Sequence, residues 1–171
     1  IVKKQDILEN LVKGIYIGIG SNLGFKKRNI EKAKFMISQK GIKILASSSY
    51  YESLSWPNKN YPKFLNIVLK IQTSHNPMTL LQIFKDLEIK FGKRKAARNA
   101  PRICDIDIID YNNQIMINQV VLPHPRMHTR NFVLFPLFEL NKDWKHPLLK
   151  SHIKNLLLSL SKSDITSIKQ I

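Results

Sequence analysis

The chain has 171 residues, a length that suits one domain and can bury about 70% of the surface its unfolded form exposes. Lys and Arg outnumber Asp and Glu by 28 to 12, a net charge of +16 that excludes an acidic solvating chain and makes a polyanion a fitting partner. No apolar run reaches the ~18 residues of a membrane span, residues 1–13 carry no signal-peptide core, and the single cysteine, Cys104, excludes an internal disulfide. A soluble cytoplasmic protein is the expectation.

Along the chain, residues 1–13 read as a polar N-terminal extension and 14–160 as one domain. Ile15, Ile17 and Ile19 alternate with Tyr16, Gly18 and Gly20, which predicts a strand. Ser21 and Asn22 offer caps for a helix over roughly 26–39, with Ile30, Ala33 and Ile37 on one face and Gly41 past its end. A second strand is expected over 42–50, followed by a loop of turn formers. Residues 64–72 form the clearest strand: Leu65, Ile67, Leu69 and Ile71 share one face, and Phe64, Asn66, Val68 and Lys70 the other. Asn76-Pro77 starts a helix whose core stripe is Leu80, Phe84, Leu87 and Phe91. A basic segment then leads into a strand at 102–110. The order predicts an α+β, ferredoxin-like β-α-β-β-α-β sandwich. An additional C-terminal helix is expected near 148–160, and 161–171 reads as a flexible tail.

The cations carry more information in their places than in their number. Five of the six arginines (Arg94, Arg98, Arg102, Arg126 and Arg130) fall between 94 and 130, and arginine is the residue that grips phosphate oxygens with a planar fork. Within that stretch Asp105 and Asp107 share one face of a strand, ~7 Å apart, while Cys104, Ile106 and Ile108 take the other. Two neighbouring carboxylates repel unless a cation lies between them, and Mg²⁺ is commonly held by one or two carboxylates with substrate phosphates completing its shell. The run Lys93-Arg94-Lys95 with Arg98 suits a flap closing on a polyphosphate, and Glu88 on the preceding helix can face the same cleft. His124 and Arg130 can reach phosphate oxygens, whereas a zinc site at His124 and His128 lacks further N or S ligands. Phe64 with Asn66 suits stacking on a flat heterocycle and bonding its edge. Neither a dinucleotide fingerprint nor a P-loop is present, because Leu23 occupies the third glycine position and no Gly-Lys-Ser/Thr occurs.

Taken in order, these pieces resemble the 6-hydroxymethyl-7,8-dihydropterin pyrophosphokinase family. The matching residues are IGIGSNLG at 17–24, Phe64-Leu65-Asn66, APRICDID at 100–107, and the Pro-His…Arg-Asn-Phe-Val-Leu-Phe-Pro-Leu-Phe-Glu run at 123–139. The resemblance implies transfer of the ATP β,γ-diphosphate to the pterin hydroxymethyl group, with release of AMP, in folate biosynthesis. It implies two Mg²⁺ ions on Asp105 and Asp107 and ATP phosphates on Arg102, His124 and Arg130. Glu88, Lys95 and Ile108 would also line the nucleotide site, and Lys93 and Arg98, with Arg102, would be the catalytic cations. The pterin would stack between Phe64 and Phe132, its edge read by Asn66 and by the backbone near Ser53 and Leu54. Asn99 stands where the family often has Trp, and Lys93 where Arg is usual.

An RNA-binding module on the same frame is the rival from another class, favoured by the charge. The strand FLNIVLKIQ lacks the aromatic pattern such modules use, and two acids on the binding strand would repel RNA. A monomer acting on small molecules, with no nucleic-acid or membrane partner, is therefore expected.

Overall fold

The computed structural model describes residues 13–56, 58–92 and 100–171. The chain runs β1 (Ile15–Ser21), α1 (Lys26–Ser38), β2 (Lys43–Ser47), β3 (Tyr51–Ser53), β4 (Phe64–Gln72), α2 (Pro77–Lys90) and β5 (Asp105–Tyr111). There follow β6 (Met116–Ile117), β7 (Val121–Leu122), a 3₁₀ turn at Met127–Thr129, α3 (Asn131–Leu140), α4 (Ile153–Leu158), α5 (Lys162–Thr166) and β8 (Lys169–Gln170). Among the described residues the main sheet is antiparallel, in the order β5-β1-β4-β3-β8, with β2 sharing with β3 the edge of β4 that faces away from β1.

Period-two alternation places the apolar side chains of the central strands on two faces. Ile15, Ile17, Ile19, Leu65, Ile67, Leu69 and Ile71 pack against Ile30, Ala33 and Ile37 of α1 and Leu80, Phe84 and Leu87 of α2. On the opposite face Tyr16, Val68 and Ile109 pack against Val133, Leu134 and Leu137 of α3, Trp144, and Ile153 and Leu156 of α4. Two helical layers thus enclose one sheet, a mixed α/β fold.

Several local expectations change. Asn76 caps α2 through the Thr79 N–H at 2.9 Å, as the sequence suggests. Ser21 and Asn22 do not cap α1, whose N-cap is Phe25 with no side-chain bond. The strand expected over 42–50 divides at Ser48, whose hydroxyl accepts the Val68 N–H at 2.9 Å. The Ser49 N–H and the Tyr51 hydroxyl turn to Glu139 at 3.0 and 2.9 Å, fastening β3 to α3, and burial together with the Glu139 carboxylate raises the Tyr51 phenol pKa. The C-terminal helix is shorter than 148–160, because the His146 imidazole accepts the Leu148 and Leu149 N–H groups, and Lys150 takes a positive φ of 56°. The tail expected to be frayed instead forms α5 and β8, since Ser161 caps α5 through the Asp164 N–H and β8 hydrogen-bonds to β3.

Candidate active site

Among the described residues, the α3 side of the sheet is covered only in part. Beyond Tyr16, Val68 and Ile109, the same three strands present Gly18, Gly20, Asn66, Asp105 and Asp107 to an open cleft of about 630 Å³. Register explains the opening: Gly18 lies opposite Asp107 and Gly20 opposite Asp105, so no side chain of β1 fills the space above them. A Cβ at Gly20 would come within 3.0 Å of Asn66 Oδ1 and 3.3 Å of the Phe64 ring.

The strand order brings cations to the acids. Arg102 donates from its guanidinium to Asp105 Oδ1 at 2.8 Å, and its backbone is fixed by Asn22, whose Oδ1 accepts the Arg102 N–H at 2.7 Å. Asn22 also donates to the Pro62 carbonyl at 3.2 Å, so this buried amide, first read as a helix cap, ties β1 to two loops. Arg130 stands 3.8 Å from Asp107 Oδ2, and burial lowers its guanidinium pKa from the usual value.

A β-bulge sets His124. Ile17 pairs with Ile108 and Tyr16 with Asp110, which leaves Ile109 as the extra residue of β5, and its carbonyl accepts the His124 N–H at 2.9 Å. His124 Nδ1 accepts the Arg126 N–H at 3.2 Å, so the remaining proton is assigned to Nε2, 3.9 Å from Asp107 Oδ2. Burial and the neighbouring Arg130 and Arg126 push this imidazole down to about 4. It is neutral at pH 7, so its approach to Asp107 is not an ion pair there, and Nε2–H is a donor in the lining of the cleft.

At its other end the cleft carries aromatic and amide side chains. Phe64 and Phe132 both line it, with Leu54, and Asn66 donates to the Ser53 hydroxyl at 2.9 Å. The Arg130 guanidinium lies 5.4 Å from the Phe132 ring centroid, linking the two ends, and Arg126 lies 5.5 Å from the Trp56 ring.

One cleft therefore gathers Ser53, Leu54, Phe64, Asn66, Arg102, Asp105, Asp107, His124, Arg130 and Phe132. Two residues expected along it lie elsewhere. Ile108 points into the core between the sheet and α2, since it alternates with Asp107, and Glu88 is buried against β5, where it accepts the Ile106 N–H at 2.9 Å. Lys93, Lys95 and Arg98 lie outside the described residues. Sequence reasoning missed the contribution of α5, whose Ser163 and Asp164 line the cleft together with Ser167. The Ser161-x-x-Asp164 spacing is the N-cap signal that could have revealed that helix.

The donor set at Asp105 and Asp107 fits a hard divalent cation. Both side chains are carboxylates on one strand face, above glycines that leave room for water and substrate oxygens, with no thiolate in the lining.

The model for 7,8-dihydro-6-hydroxymethylpterin-pyrophosphokinase (HPPK) matches residues 16–142. The 2-amino-4-hydroxy-6-hydroxymethyldihydropteridine pyrophosphokinase of Aquifex aeolicus is 34% identical over 141 residues, 82% of this chain and 88% of that protein. The Bacillus subtilis protein of the same name is 35% identical over 127 residues, 73% of this chain and 76% of that one. The Folic acid synthesis protein fol1 of Pneumocystis carinii is 36% identical over 165 residues, 96% of this chain, which spans only 22% of that longer protein. A Plasmodium falciparum HPPK-DHPS crystallised with pterin and p-hydroxybenzoate superposes with a TM-score of 0.71 at 13% identity, over 93% of this chain and 47% of that one. That last likeness concerns the fold.

Proposed function

The chain belongs to the 7,8-dihydro-6-hydroxymethylpterin-pyrophosphokinase family of ATP-dependent diphosphokinases, and on that premise we propose that it transfers the β,γ-diphosphate of ATP to the hydroxymethyl oxygen of 6-hydroxymethyl-7,8-dihydropterin. The bond formed joins that oxygen to the β-phosphorus, and the bond broken leaves AMP.

The observation that carries this reading is a single cleft with two unlike ends. Paired aspartates sit among Arg102, His124 and Arg130 at one, and two phenylalanines stand beside Asn66 at the other. Asp105 and Asp107 would hold two Mg²⁺ ions, which neutralise triphosphate charge and orient the transferred group when bound. Arg102 and Arg130 contact phosphate oxygens, and His124 donates its Nε2–H to one without adding a charge. Phe64 and Phe132 hold the pterin between their faces, while Asn66, Ser53 and the backbone at Leu54 read its polar edge. Lys93 and Arg98, with Lys95, belong to a catalytic flap on the family resemblance. Glu88 serves from behind the strand, by fixing the backbone beside Asp105 and Asp107.

The strand order, with α1 and α2 on one face, supports the ferredoxin-like β-α-β-β-α-β reading. The unit is read as a monomer. Calorimetric titration with Mg²⁺ and α,β-methylene-ATP, with and without 6-hydroxymethylpterin, tests the assignment. Heat for the nucleotide with Mg²⁺, and for the pterin once it is bound, is expected; no heat in either case overturns the reading. Turnover must yield AMP, and free diphosphate as product would overturn it as well.

A further inference from the structure

We propose that the C-terminal segment, residues 161–171, is a wall of the pterin subsite, and that Asn131 is the positioning residue that couples it to Phe132. This rests on the pterin assignment above.

Asn131 opens α3 and is buried, with its side-chain amide engaged on both sides. Its Nδ2 donates to the Asp164 carbonyl at 2.6 Å and to the Ser167 hydroxyl at 3.2 Å, and its Oδ1 accepts the N–H of Phe132 at 2.7 Å. One planar amide thus joins the tail to the backbone that carries the ring. The tail is shaped for this hold: Ser161 caps α5 through the Asp164 N–H at 3.1 Å, and the Ser167 hydroxyl donates to the same Asp164 carbonyl at 3.0 Å.

The far end of the segment is fastened to the opposite wall. Lys169 and Gln170 pair with Glu52 and Tyr51 of β3, the Ile171 N–H donates to the Tyr50 carbonyl at 2.9 Å, and Gln170 donates to the Ser49 hydroxyl at 3.0 Å. Strand β3 ends at Ser53, where Asn66 donates. The tail therefore bridges Phe132 on one side of the subsite and Ser53 on the other, and Ser163, Asp164 and Ser167 face the space between them.

The composition of the segment argues for restraint rather than core support. No residue of α5 is buried, so it adds little apolar burial to the fold, while its polar contacts converge on Asn131. Restraint of a stacking ring before the ligand arrives reduces the ordering cost of binding. The tail should accordingly govern the pterin more than the nucleotide, whose metal pair and arginines stand on β5 and the loops beside it.

The test uses the full chain carrying Asn131→Ala or Ser167→Ala, with 6-hydroxymethylpterin binding measured at saturating Mg²⁺ and α,β-methylene-ATP, and nucleotide binding measured separately. Asn131→Ala should weaken pterin binding about tenfold, the size expected from losing one or two net hydrogen bonds, with nucleotide affinity changed less than about twofold. Ser167→Ala leaves the Phe132 bond intact and should weaken the pterin about threefold, which covers the case of Asn131→Ala folding poorly. In steady state the loss should fall on KM for the pterin and not on KM for ATP. If the wild type binds the pterin and both variants match it within twofold, the inference is overturned and the function stands. Equal weakening of both ligands also overturns it, because a general loss of structure predicts that result. A wild type that binds no pterin overturns the assignment and this inference together.

Discussion

The two ends of one sheet face teach how this fold makes a site. Strands β1, β4 and β5 run through both ends, and their backbones are paired in both. At the covered end they present Tyr16, Val68, Ile109 and Asp110, all beneath α3, Trp144 or α4. At the open end the same strands present Gly18, Gly20, Asn66, Asp105 and Asp107. Large apolar side chains recruit a helix, whereas glycines and acids leave the surface free for a ligand. The aspartates make the contrast within a single strand. Asp107 keeps 48% of its side chain exposed beside Arg130, while Asp110 is fully buried and accepts from the Trp144 indole at 2.8 Å and the Asn113 N–H at 3.0 Å.

The sharpest way to break the comparison is to remove each kind of aspartate. Asp105→Ala or Asp107→Ala should lower AMP release roughly a thousandfold or more, the scale of a lost metal ligand, while the free energy of urea unfolding changes by about 1 kcal/mol or less. An assay of AMP formation alongside the unfolding curve decides it, and full activity in either variant would contradict the site. Gly20→Ala strikes the open end by filling it, since the new methyl meets Asn66 Oδ1 and Phe64. A loss of about tenfold or more in kcat/KM for the pterin is expected from displaced binding groups. Gly18→Ala should be milder, because its nearest new contact is a flexible Ile109 methyl at 3.4 Å.

At the covered end the effects should exchange places. Asp110→Ala strands the Trp144 indole N–H and the Asn113 N–H, and should cost about 2 kcal/mol of stability with turnover per folded molecule retained. Denaturant unfolding and active-site-normalised rates measure both quantities. A variant as stable as wild type would show that Asp110 does not hold the covered end.

Much of this contrast is legible in the residues, though not all. The alternation in 15–20 and 64–72 survives almost unchanged, because strands buried on one face by α1 and α2 must keep their period. Asp105 and Asp107 are legible for the same reason. What escapes is set by tertiary partners. Helix α3 carries Pro136 and a nearly all-round apolar sequence, so it shows little amphipathic stripe and gives no periodic helix signal. The bulge at Ile109 depends on pairing with Tyr16 and on the use of a freed carbonyl by His124, neither of which is a local signal. The tail is polar by composition and ordered by two capping serines and a strand edge, contacts that hydrophobic patterning does not register. Glu88 shows the opposite error: an acid assumed to face the cleft is buried against the back of the strand.

Acid titration gives the smallest expected effect and sets two buried groups of the covered end against each other in sign. Burial and the adjacent His128 push His146 down to about 4, and burial pushes Asp110 up to about 6. Unfolded histidine binds its proton near pH ~6.5, so the stability tied to neutral His146 is present above that pH and is lost as pH falls toward 4. Asp110 acts in the reverse sense. Unfolded aspartate ionises near pH ~3.9, so the stability tied to its protonated form is present below that pH and is lost as pH rises through 6. Between pH 4 and 6 the two oppose each other at the covered end. Asp110→Asn should therefore make the urea midpoint fall more steeply between pH 6.5 and 4.5, and His146→Gln should flatten it. Midpoints measured at pH 7, 5.5 and 4.5 give the slopes. Identical slopes in both variants and wild type would mean that these buried groups titrate alike in the folded and unfolded chain, which their burial opposes.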